Sequence, residues 1–417
     1  MEKPVFPGRV RLGMVGGGEG AFIGAVHRHA ARLDDRYELV AGALSSSAEA
    51  SQRSGRALGL DPERIYDLYE QMARAESARP DGIEAVSIVT PNHMHAPVAK
   101  AFLEAGIHVI CDKPVTTNSA DARMLQALAG ERGLIFAVTH NYSAYPMVRH
   151  AQQMVREGAL GEIRVVQVEY AQDWLAEPLE QSGQKQAAWR TDPAKAGGGA
   201  IGDIGSHAWQ LADMIVGAPL EALAAELSSF VPGRVIDDNV HVLLRYQGGV
   251  RGMLWASQVA PGHANDLRIR VYGSRGGIEW AQQQPNELRW TPLGEPTRIV
   301  ARGSTAMNAA GARVSRIPAG HTEGYIDAFA SLYSDIASHL LARRNGGDPG
   351  AAQFPPLPTV CAACCLLRPC RRRLAPAVHG CRCHAESRIH LTALLFWPRR
   401  CWRGFLSRRI HRMNSWH

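Results

Sequence analysis

Residues 10–33 read "VRLGMVGGGEGAFIGAVHRHAARL": an apolar run, a Gly-rich turn and then a helical pattern. After the turn, apolar residues recur at helical spacing, at Ile23, Val26, Ala30 and Leu33. In such a unit, Gly16 permits a tight turn, Gly18 lets the backbone approach a pyrophosphate, and the helix N-terminus attracts its charge. Gly24 follows later than in a strict G-x-G-x-x-G motif, so a plain Gly-rich turn is the alternative. The position between a strand and a helix favours a dinucleotide site.

The alternation of strand and helix continues through residue 142. Further apolar runs, each followed by a helical or turn pattern, are "YELVAGAL", "EAVSIVTP", "IHVIC" and "LIFAVTHNY". This rhythm predicts right-handed βαβ units and an α/β fold with a parallel sheet covered on both faces.

Beyond residue 142 the pattern changes. Strand pairs flank Gly248-Gly249 and the sequence "SRGG", which is typical of hairpins. A helix is predicted over roughly 201–216, and "TEGYIDAFASLYSDIASHLLARR" is amphipathic. We therefore expect a second domain, α+β in class, with a large and mostly antiparallel sheet.

The tail, residues 361–417, differs from the rest in composition. It holds twelve arginines, no lysine, one acid and seven of the eight cysteines, so the net charge of +7 becomes −4 without it. We interpret this atypical Arg/Cys-rich tail as disordered or translated out of frame. A zinc module and a basic nucleic-acid tail are the alternatives, but the "CRCH" spacing is poor for a tetrahedral site.

The main body is nearly free of cysteine and mildly acidic, which suits a reducing compartment and argues against a nucleic-acid partner. The start shows no apolar leader, and no apolar run reaches the roughly 18 residues of a membrane span. We expect a cytoplasmic protein without a membrane partner.

Two strand ends carry polar residues at the edge where parallel sheets bind ligands. The third strand ends at Thr90, and Pro91, Asn92 and His95 follow it; we expect these four to contact a cofactor. Asn92 could instead be a turn residue only. His93 and His95 could be capping or surface histidines, and no metal site is predicted because no partner cluster is evident.

The fourth predicted strand ends at Cys111 and delivers Lys113, which Pro114 biases towards an extended conformation. A strand-end lysine is usually only solvated, but this one shares the sheet edge with Asn92. Later, "GGGAIGDIGSHAWQLAD" places Asp203 and His207 one helical turn apart. A carboxylate there can orient an imidazole, which titrates in the range suited to proton transfer from an alcohol.

The second strand is followed by "SSS" at 45–47, where NAD enzymes usually carry an acid for the ribose hydroxyls. Without that acid a 2′-phosphate is tolerated, and Arg53 or Arg56 could reach it. Ser45 could equally hydrogen-bond NAD. The cofactor is therefore NAD or NADP, and the missing acid favours NADP or the use of both.

The motifs "VGGGEGAFIG", "TPNHMH", "AGIHVICDKP" and "GGGAIGDIGSH", in this order, resemble the Gfo/Idh/MocA family of glucose–fructose oxidoreductase and inositol 2-dehydrogenase. The resemblance covers about residues 9–360. It implies a Rossmann dinucleotide-binding domain over 1–142 and a substrate-binding and oligomerisation domain over 143–360. The open sheet of the second domain would mediate a homodimer or homotetramer.

The same resemblance assigns roles to single residues. It implies that Lys113 is the catalytic lysine, Asp203 orients the substrate and His207 is the acid/base. Asp112 stands where the family usually has glutamate. The family chemistry would be hydride transfer between NAD or NADP and a secondary alcohol of a sugar, polyol or inositol.

Four residues are candidate substrate contacts because aromatic walls suit a sugar ring, although each could equally be core packing: Tyr142, Trp174, Trp189 and Arg190. Two other functions stay open. One is a redox-neutral sugar-converting enzyme that retains its cofactor, and the other is a non-catalytic, nucleotide-sensing regulator on the same scaffold.

Overall fold

The computed structural model describes residues 8–357 and 379–382. The first domain is a five-stranded parallel sheet in the order β2-β1-β3-β4-β5. Its strands and helices are β1 Val10–Gly16, α1 Phe22–Leu33, β2 Tyr37–Ala43, α2 Ala48–Ala57, α3 Tyr69–Ala78, β3 Ala85–Val89, α4 His95–Glu104, β4 His108–Cys111, α5 Ser119–Glu131 and β5 Phe136–Val138. The side chain of Asn118 caps α5 by accepting from the Ala120 and Asp121 amides, as its residue type predicts.

The second domain is built on a nine-stranded sheet in the order β13-β12-β11-β10-β6-β9-β8-β7-β14. Its elements are α6 Pro146–Arg156, β6 Ile163–Ala171, α7 Lys185–Arg190, α8 Pro193–Ala196, α9 Ser206–Val216, β7 Leu220–Ser228, β8 Asn239–Tyr246, β9 Arg251–Ser257, β10 Asp266–Gly273, β11 Gly276–Ala281, β12 Glu287–Pro292, β13 Arg298–Ala301, α10 Ala309–Arg313, α11 Tyr325–Arg344 and β14 His379–Arg382. Neighbouring strands are antiparallel except β6 and β9. The predicted fold class is confirmed.

One face of this sheet is covered by helices α6 and α9, and the other face points outward. Strands β8 and β9 show the alternation clearly: Val242 and Leu254 are buried, whereas Leu243 and Met253 are 60% and 45% exposed. The sheet thus keeps a partly apolar outer face.

Helix α11 packs on the first domain although it lies within the segment 143–360. Phe329, Tyr333 and Ile336 lie in one buried cluster with Val10 and Leu12 of β1. Residues 354–357 return to the same domain: Pro355 accepts a hydrogen bond of 3.0 Å from the Val138 amide. The segment 143–360 therefore contributes structure to both domains, because an apolar stripe does not reveal which sheet it will cover.

The tail predictions concern residues of which the structure describes only His379–Arg382, an edge strand paired with β7. The remainder of the tail, with the zinc, nucleic-acid and out-of-frame alternatives, lies outside the described residues. Within the described parts, no helix is long and apolar enough to cross a membrane. Those same parts contain no group of three or more His, Cys, Asp or Glu side chains arranged to hold a metal ion.

Candidate active site

The Gly-rich turn between β1 and α1 is shaped to receive an anion. Gly16 and Gly17 have φ of 78° and 72°, which favours glycine. A Cβ on Gly24 would lie 2.3 Å from the Gly17 Cα, so the first turn of α1 sits directly on the loop. Ala21 offers no side-chain cap, so the first amides of α1 have no capping side chain. This cradle fits the pyrophosphate of a dinucleotide.

Gly18 has a packing reason for being glycine in addition to the one that the sequence suggests. Its amide donates to the Leu44 carbonyl at 3.0 Å, and a Cβ would lie 2.7 Å from that oxygen and 2.8 Å from the Ser54 Oγ. Gly18 therefore packs the turn against the end of β2 and against α2. Close packing within the protein therefore requires glycine at this position.

Two serines after β2, Ser45 and Ser47, make local hydrogen bonds to the backbone. The Ser45 Oγ accepts a hydrogen bond from the Ser47 amide at 3.2 Å, and Ser47 caps α2. Arg53 lies on α2 with its guanidinium bonded to Glu19 at 2.9 Å. Arg53, one of the two arginines predicted to reach a 2′-phosphate, is thus already engaged by a carboxylate.

The four residues predicted at the end of β3 lie at the carboxyl edge of the sheet, but two of them make internal contacts. His95 sits between two carbonyl oxygens, of Pro114 at 2.6 Å and Thr90 at 2.9 Å. Burial lowers its pKa, against the opposing effect of these acceptors and Asp112. The Asn92 amide donates to the Ala196 carbonyl of α8 at 3.0 Å. These side chains tie β3 to β4 and to the second domain.

Lys113 reaches from the first domain into the second. Its peptide bond to Pro114 is cis, and its Nζ donates to Asp203, at 2.8 Å to Oδ1 and 2.5 Å to the carbonyl oxygen. Behind it, the Asp112 carboxylate accepts from the Lys113 amide at 2.8 Å and from the Thr139 hydroxyl at 3.0 Å. Aspartate at position 112 thus anchors the strand end that carries the lysine.

The carboxylate of Asp203 is saturated with donors. Besides Lys113, Gln258 donates to its Oδ2 at 2.9 Å, and the Arg190 Nε lies 3.5 Å away. Burial alone would raise the pKa of Asp203, but the charges of Lys113 and Arg190 bring it down to about 2. The carboxylate therefore stays ionised across the physiological range.

The expectation that Asp203 orients the imidazole of His207 is wrong in this conformation. Residues Ile201–Gly205 form a π-helical turn, wider than the α-helical turn assumed from the spacing. The carboxylate instead accepts hydrogen bonds from Lys113 and Gln258 and forms an ion pair with Arg190. The two charged groups attract it more strongly than a neutral ring does.

His207 lies buried among other rings. Its ring centre is 4.8 Å from that of Tyr142 and 5.2 Å from that of His140, and its Nδ1 has no hydrogen-bond partner among the described residues. Burial, together with Lys113 and His140, lowers the pKa of His207 well below its usual 6.5. A neutral imidazole in this position is able to accept a proton.

A chain of hydrogen bonds links Tyr142 to Trp174. Tyr142 and Tyr170 share a 2.7 Å contact between hydroxyls, and Tyr170 donates to Asn265 at 2.7 Å. Gln172 joins Asn265 at 2.7 Å, and the indole of Trp174 donates to Gln172 at 3.0 Å. Two of the four predicted substrate residues are therefore parts of one network.

The other two predicted substrate residues, Trp189 and Arg190, lie side by side on α7. The guanidinium of Arg190 stacks over the Trp189 ring, 4.2 Å from its centre. Arg190 also approaches Asp203, so the stacked Trp189–Arg190 pair lies beside the Lys113–Asp203 contact.

Sequence reasoning missed several residues of this site. Gln258, Tyr170 and Asn265 come from strands or loops of the second sheet, and nothing in their spacing distinguishes them. His140 could have been predicted from the sequence, because it follows β5 at the same carboxyl edge of the sheet as Lys113. Both of its ring nitrogens are buried without a partner among the described residues.

Comparison with known proteins agrees with this geometry. Residues 10–140 match the family described as "Oxidoreductase family, NAD-binding Rossmann fold", and residues 148–279 match the "GFO/IDH/MocA C-terminal domain". Nicotinamide dinucleotide binding, predicted from the Gly-rich turn, is confirmed at this level.

Three relatives show how far the similarity extends. The structure of an oxidoreductase from Sinorhizobium meliloti is 51% identical, with a TM-score of 0.79 over 88% of this chain and 97% of that one. An inositol dehydrogenase homologue from Azotobacter vinelandii, complexed with NADH and myo-inositol, is 32% identical, with a TM-score of 0.83 over 90% of this chain and 98% of that one. Levoglucosan dehydrogenase of Pseudarthrobacter phenanthrenivorans is 28% identical over 67% of this chain and 75% of its own length. With its two matched domains and its Rossmann turn, this chain belongs to the Gfo/Idh/MocA family of NAD-binding oxidoreductases.

Proposed function

We propose that this chain is an NAD-dependent dehydrogenase that oxidises a secondary alcohol of a sugar, polyol or inositol. The observation that carries the proposal is the meeting of Lys113 from the first domain with Asp203 from the second, four residues before the buried His207. Relatives named for inositol and for levoglucosan support this substrate class.

The first domain holds the cofactor. Gly16, Gly17 and the first turn of α1 receive the pyrophosphate, Gly24 keeps that turn close, and Ser45 lies where the ribose is bound. Thr90, Pro91, Asn92 and His95 shape the sheet edge beside it. When bound, the nicotinamide supplies the hydride acceptor.

His207 acts as the base in this proposal. Its lowered pKa keeps the imidazole neutral, so it takes the proton of the substrate hydroxyl as the alcohol is oxidised. The Nζ of Lys113 donates a hydrogen bond to the substrate oxygen and stabilises charge that develops there. Proton transfer of this kind contributes on the order of 10²–10⁴ to the rate.

Asp203 aims the ammonium group of Lys113. The ammonium donates to the carboxylate and to the carbonyl of the same residue, which fixes two of its three protons. The third proton is the one left to meet a substrate oxygen.

Tyr142, Trp174, Trp189 and Arg190 form the wall of the substrate site in this proposal. Aromatic faces suit the apolar faces of a sugar ring, and the Tyr142 hydroxyl belongs to a network that can donate to ring hydroxyls. The outward sheet face with Leu243 supports a homodimer or homotetramer, since a large exposed apolar patch favours association.

The test is a screen of myo-inositol, levoglucosan and common aldoses for absorbance at the nicotinamide band, with NAD⁺ and NADP⁺ separately. Lys113→Ala and His207→Ala should lower kcat/KM at least about 100-fold while NADH still binds. The matched controls, Lys100→Ala and His29→Ala, remove exposed side chains of the same types and should leave activity unchanged.

Two outcomes would count against the proposal. Full activity in Lys113→Ala and His207→Ala would remove their assigned roles. Conversion of a sugar without net NADH formation would instead favour the redox-neutral reaction with a retained cofactor.

A further inference from the structure

The Gly-rich turn of this chain carries an acid. Glu19 is exposed, and its Oε2 accepts a hydrogen bond from the Arg53 Nε at 2.9 Å. Arg53 also approaches Glu49, 3.5 Å away and one turn earlier on α2. The hydrogen bond and charge of Glu19 raise the pKa of Arg53. The guanidinium is thus shared between two carboxylates.

The backbone fixes this acid beside the end of β2. The Glu19 amide donates to the Ser54 Oγ at 3.0 Å, and the preceding Gly18 amide donates to the Leu44 carbonyl at 3.0 Å. The position of Glu19 relative to the β2 end is therefore built into the fold. It does not depend on the ion pair alone.

The end of β2 is where dinucleotide-binding folds distinguish their cofactors. An acid there binds the adenosine ribose hydroxyls of NAD, and an arginine accepts the 2′-phosphate of NADP. After β2 this chain has Leu44 and the serines at 45–47, so the strand end itself supplies no carboxylate. Glu19 supplies one from the neighbouring turn, directly after the Gly18 amide that bonds the end of β2.

We infer that Glu19 takes over the work of the missing strand-end acid and makes this protein selective for NAD over NADP. It occupies the guanidinium of Arg53, which would otherwise be available to a 2′-phosphate. Glu19, Glu49 and Arg53 together carry one net negative charge, which repels a phosphate of nearly two negative charges. The inference rests on nicotinamide dinucleotide binding, and it does not depend on which alcohol is oxidised.

The experiment is a titration of the full-length protein with NADH and with NADPH, followed by nicotinamide fluorescence without any alcohol substrate. Wild-type protein should bind NADH at least about tenfold more tightly. Glu19→Gln should shift the ratio of the two dissociation constants about tenfold towards NADPH, because the repulsion is removed and Arg53 is released.

Two further variants separate the charge effect from other causes. Glu131→Gln makes the same change at the C-terminal end of α5, which lies at the opposite edge of the sheet, and should leave the ratio unchanged. Glu19→Gln combined with Arg53→Gln should lose the tighter NADPH binding gained by Glu19→Gln alone. Thermal melting of each variant checks that it is folded.

The inference is overturned if wild-type protein binds both nucleotides equally well. It is also overturned if folded Glu19→Gln keeps the wild-type ratio, or if the double variant keeps the gain. A shifted ratio in a protein that oxidises no tested sugar or polyol would leave the inference standing and remove only the proposed function.

Discussion

The contact between α1 and the Gly-rich turn gives a quantitative prediction for Gly24→Ala. The added Cβ would lie 2.3 Å from the Gly17 Cα and 2.4 Å from its carbonyl oxygen, where ordinary contacts between carbon atoms are about 3.5–4.0 Å. Both neighbours are backbone, so turn and helix must separate by about 1 Å. Overpacking of this kind costs about 1–3 kcal/mol, and the rigid neighbours place this site near the upper value.

Two assays measure the effect. Denaturant unfolding should show a loss of about 3 kcal/mol, which corresponds to a fall in Tm of about 6–12 °C for a large domain. NADH binding should weaken about tenfold or more, because the displaced loop is the one that we propose receives the pyrophosphate.

Gly130→Ala is the matched control. Gly130 lies in α5, and a Cβ there would meet no atom within 4 Å. The same substitution should therefore stabilise by about 0.5–1 kcal/mol, since alanine favours the helix, and leave NADH binding unchanged. Wild-type unfolding and wild-type NADH affinity in Gly24→Ala would refute the reasoning.

Three further predictions concern stability and assembly. Burial, and secondarily Lys113, lowers the pKa of His140 to about 3, so the unfolded chain takes up a proton first as the pH falls from 6.5 towards 3 and the folded state loses about 2 kcal/mol of stability by pH 5. The free energy of unfolding of His140→Gln, measured in urea, should depend on pH by that much less. An unchanged pH dependence would contradict this. Arg302→Met leaves the buried Glu323 carboxylate without its ion-pair partner and should lower the free energy of unfolding by about 3–5 kcal/mol. Arg298→Met, which removes an exposed ion pair, should lower it by under about 1 kcal/mol. Equal shifts of the unfolding midpoint in denaturant would refute this difference. Leu243→Glu places a charge on the outward sheet face and should dissociate the proposed oligomer, as measured by light scattering. A monomeric wild-type protein would contradict the proposed assembly.

Patterns local in sequence predicted most of the fold. Gly248 and Gly249 mark the β8–β9 hairpin, and both have positive φ, 76° and 88°. Strand-end reasoning likewise placed Asn92 and Lys113 at one edge of the parallel sheet. These inferences succeeded because turn chemistry and strand direction are properties of short segments.

Partners distant in sequence were beyond such reasoning. The spacing of Asp203 and His207 indicated a shared face, but not that the carboxylate would bond Lys113, 90 positions away. Gln258 is a plain polar residue at the end of a strand, and only the folded sheet brings it to Asp203. Pairing across domains depends on how they dock, which no local pattern records.

Gly18 shows a further limit of prediction from sequence. Its place in the motif suggested a ligand contact but not the packing that also requires glycine, since a glycine needed for packing and one needed for a ligand look identical in sequence. The structure reveals the packing requirement, because a Cβ on Gly18 would collide with the Leu44 carbonyl and the Ser54 hydroxyl.

The placement of α11 has a consequence for synthesis on the ribosome. The strand β1 is translated near the start, but the helix that covers its face is made about 300 residues later. At roughly 5–20 residues per second, that surface waits on the order of 15–60 s for its cover. A nascent chain stalled before Tyr325 would leave the part of that sheet face beside α1 uncovered, a natural substrate for chaperones that bind emerging polypeptides.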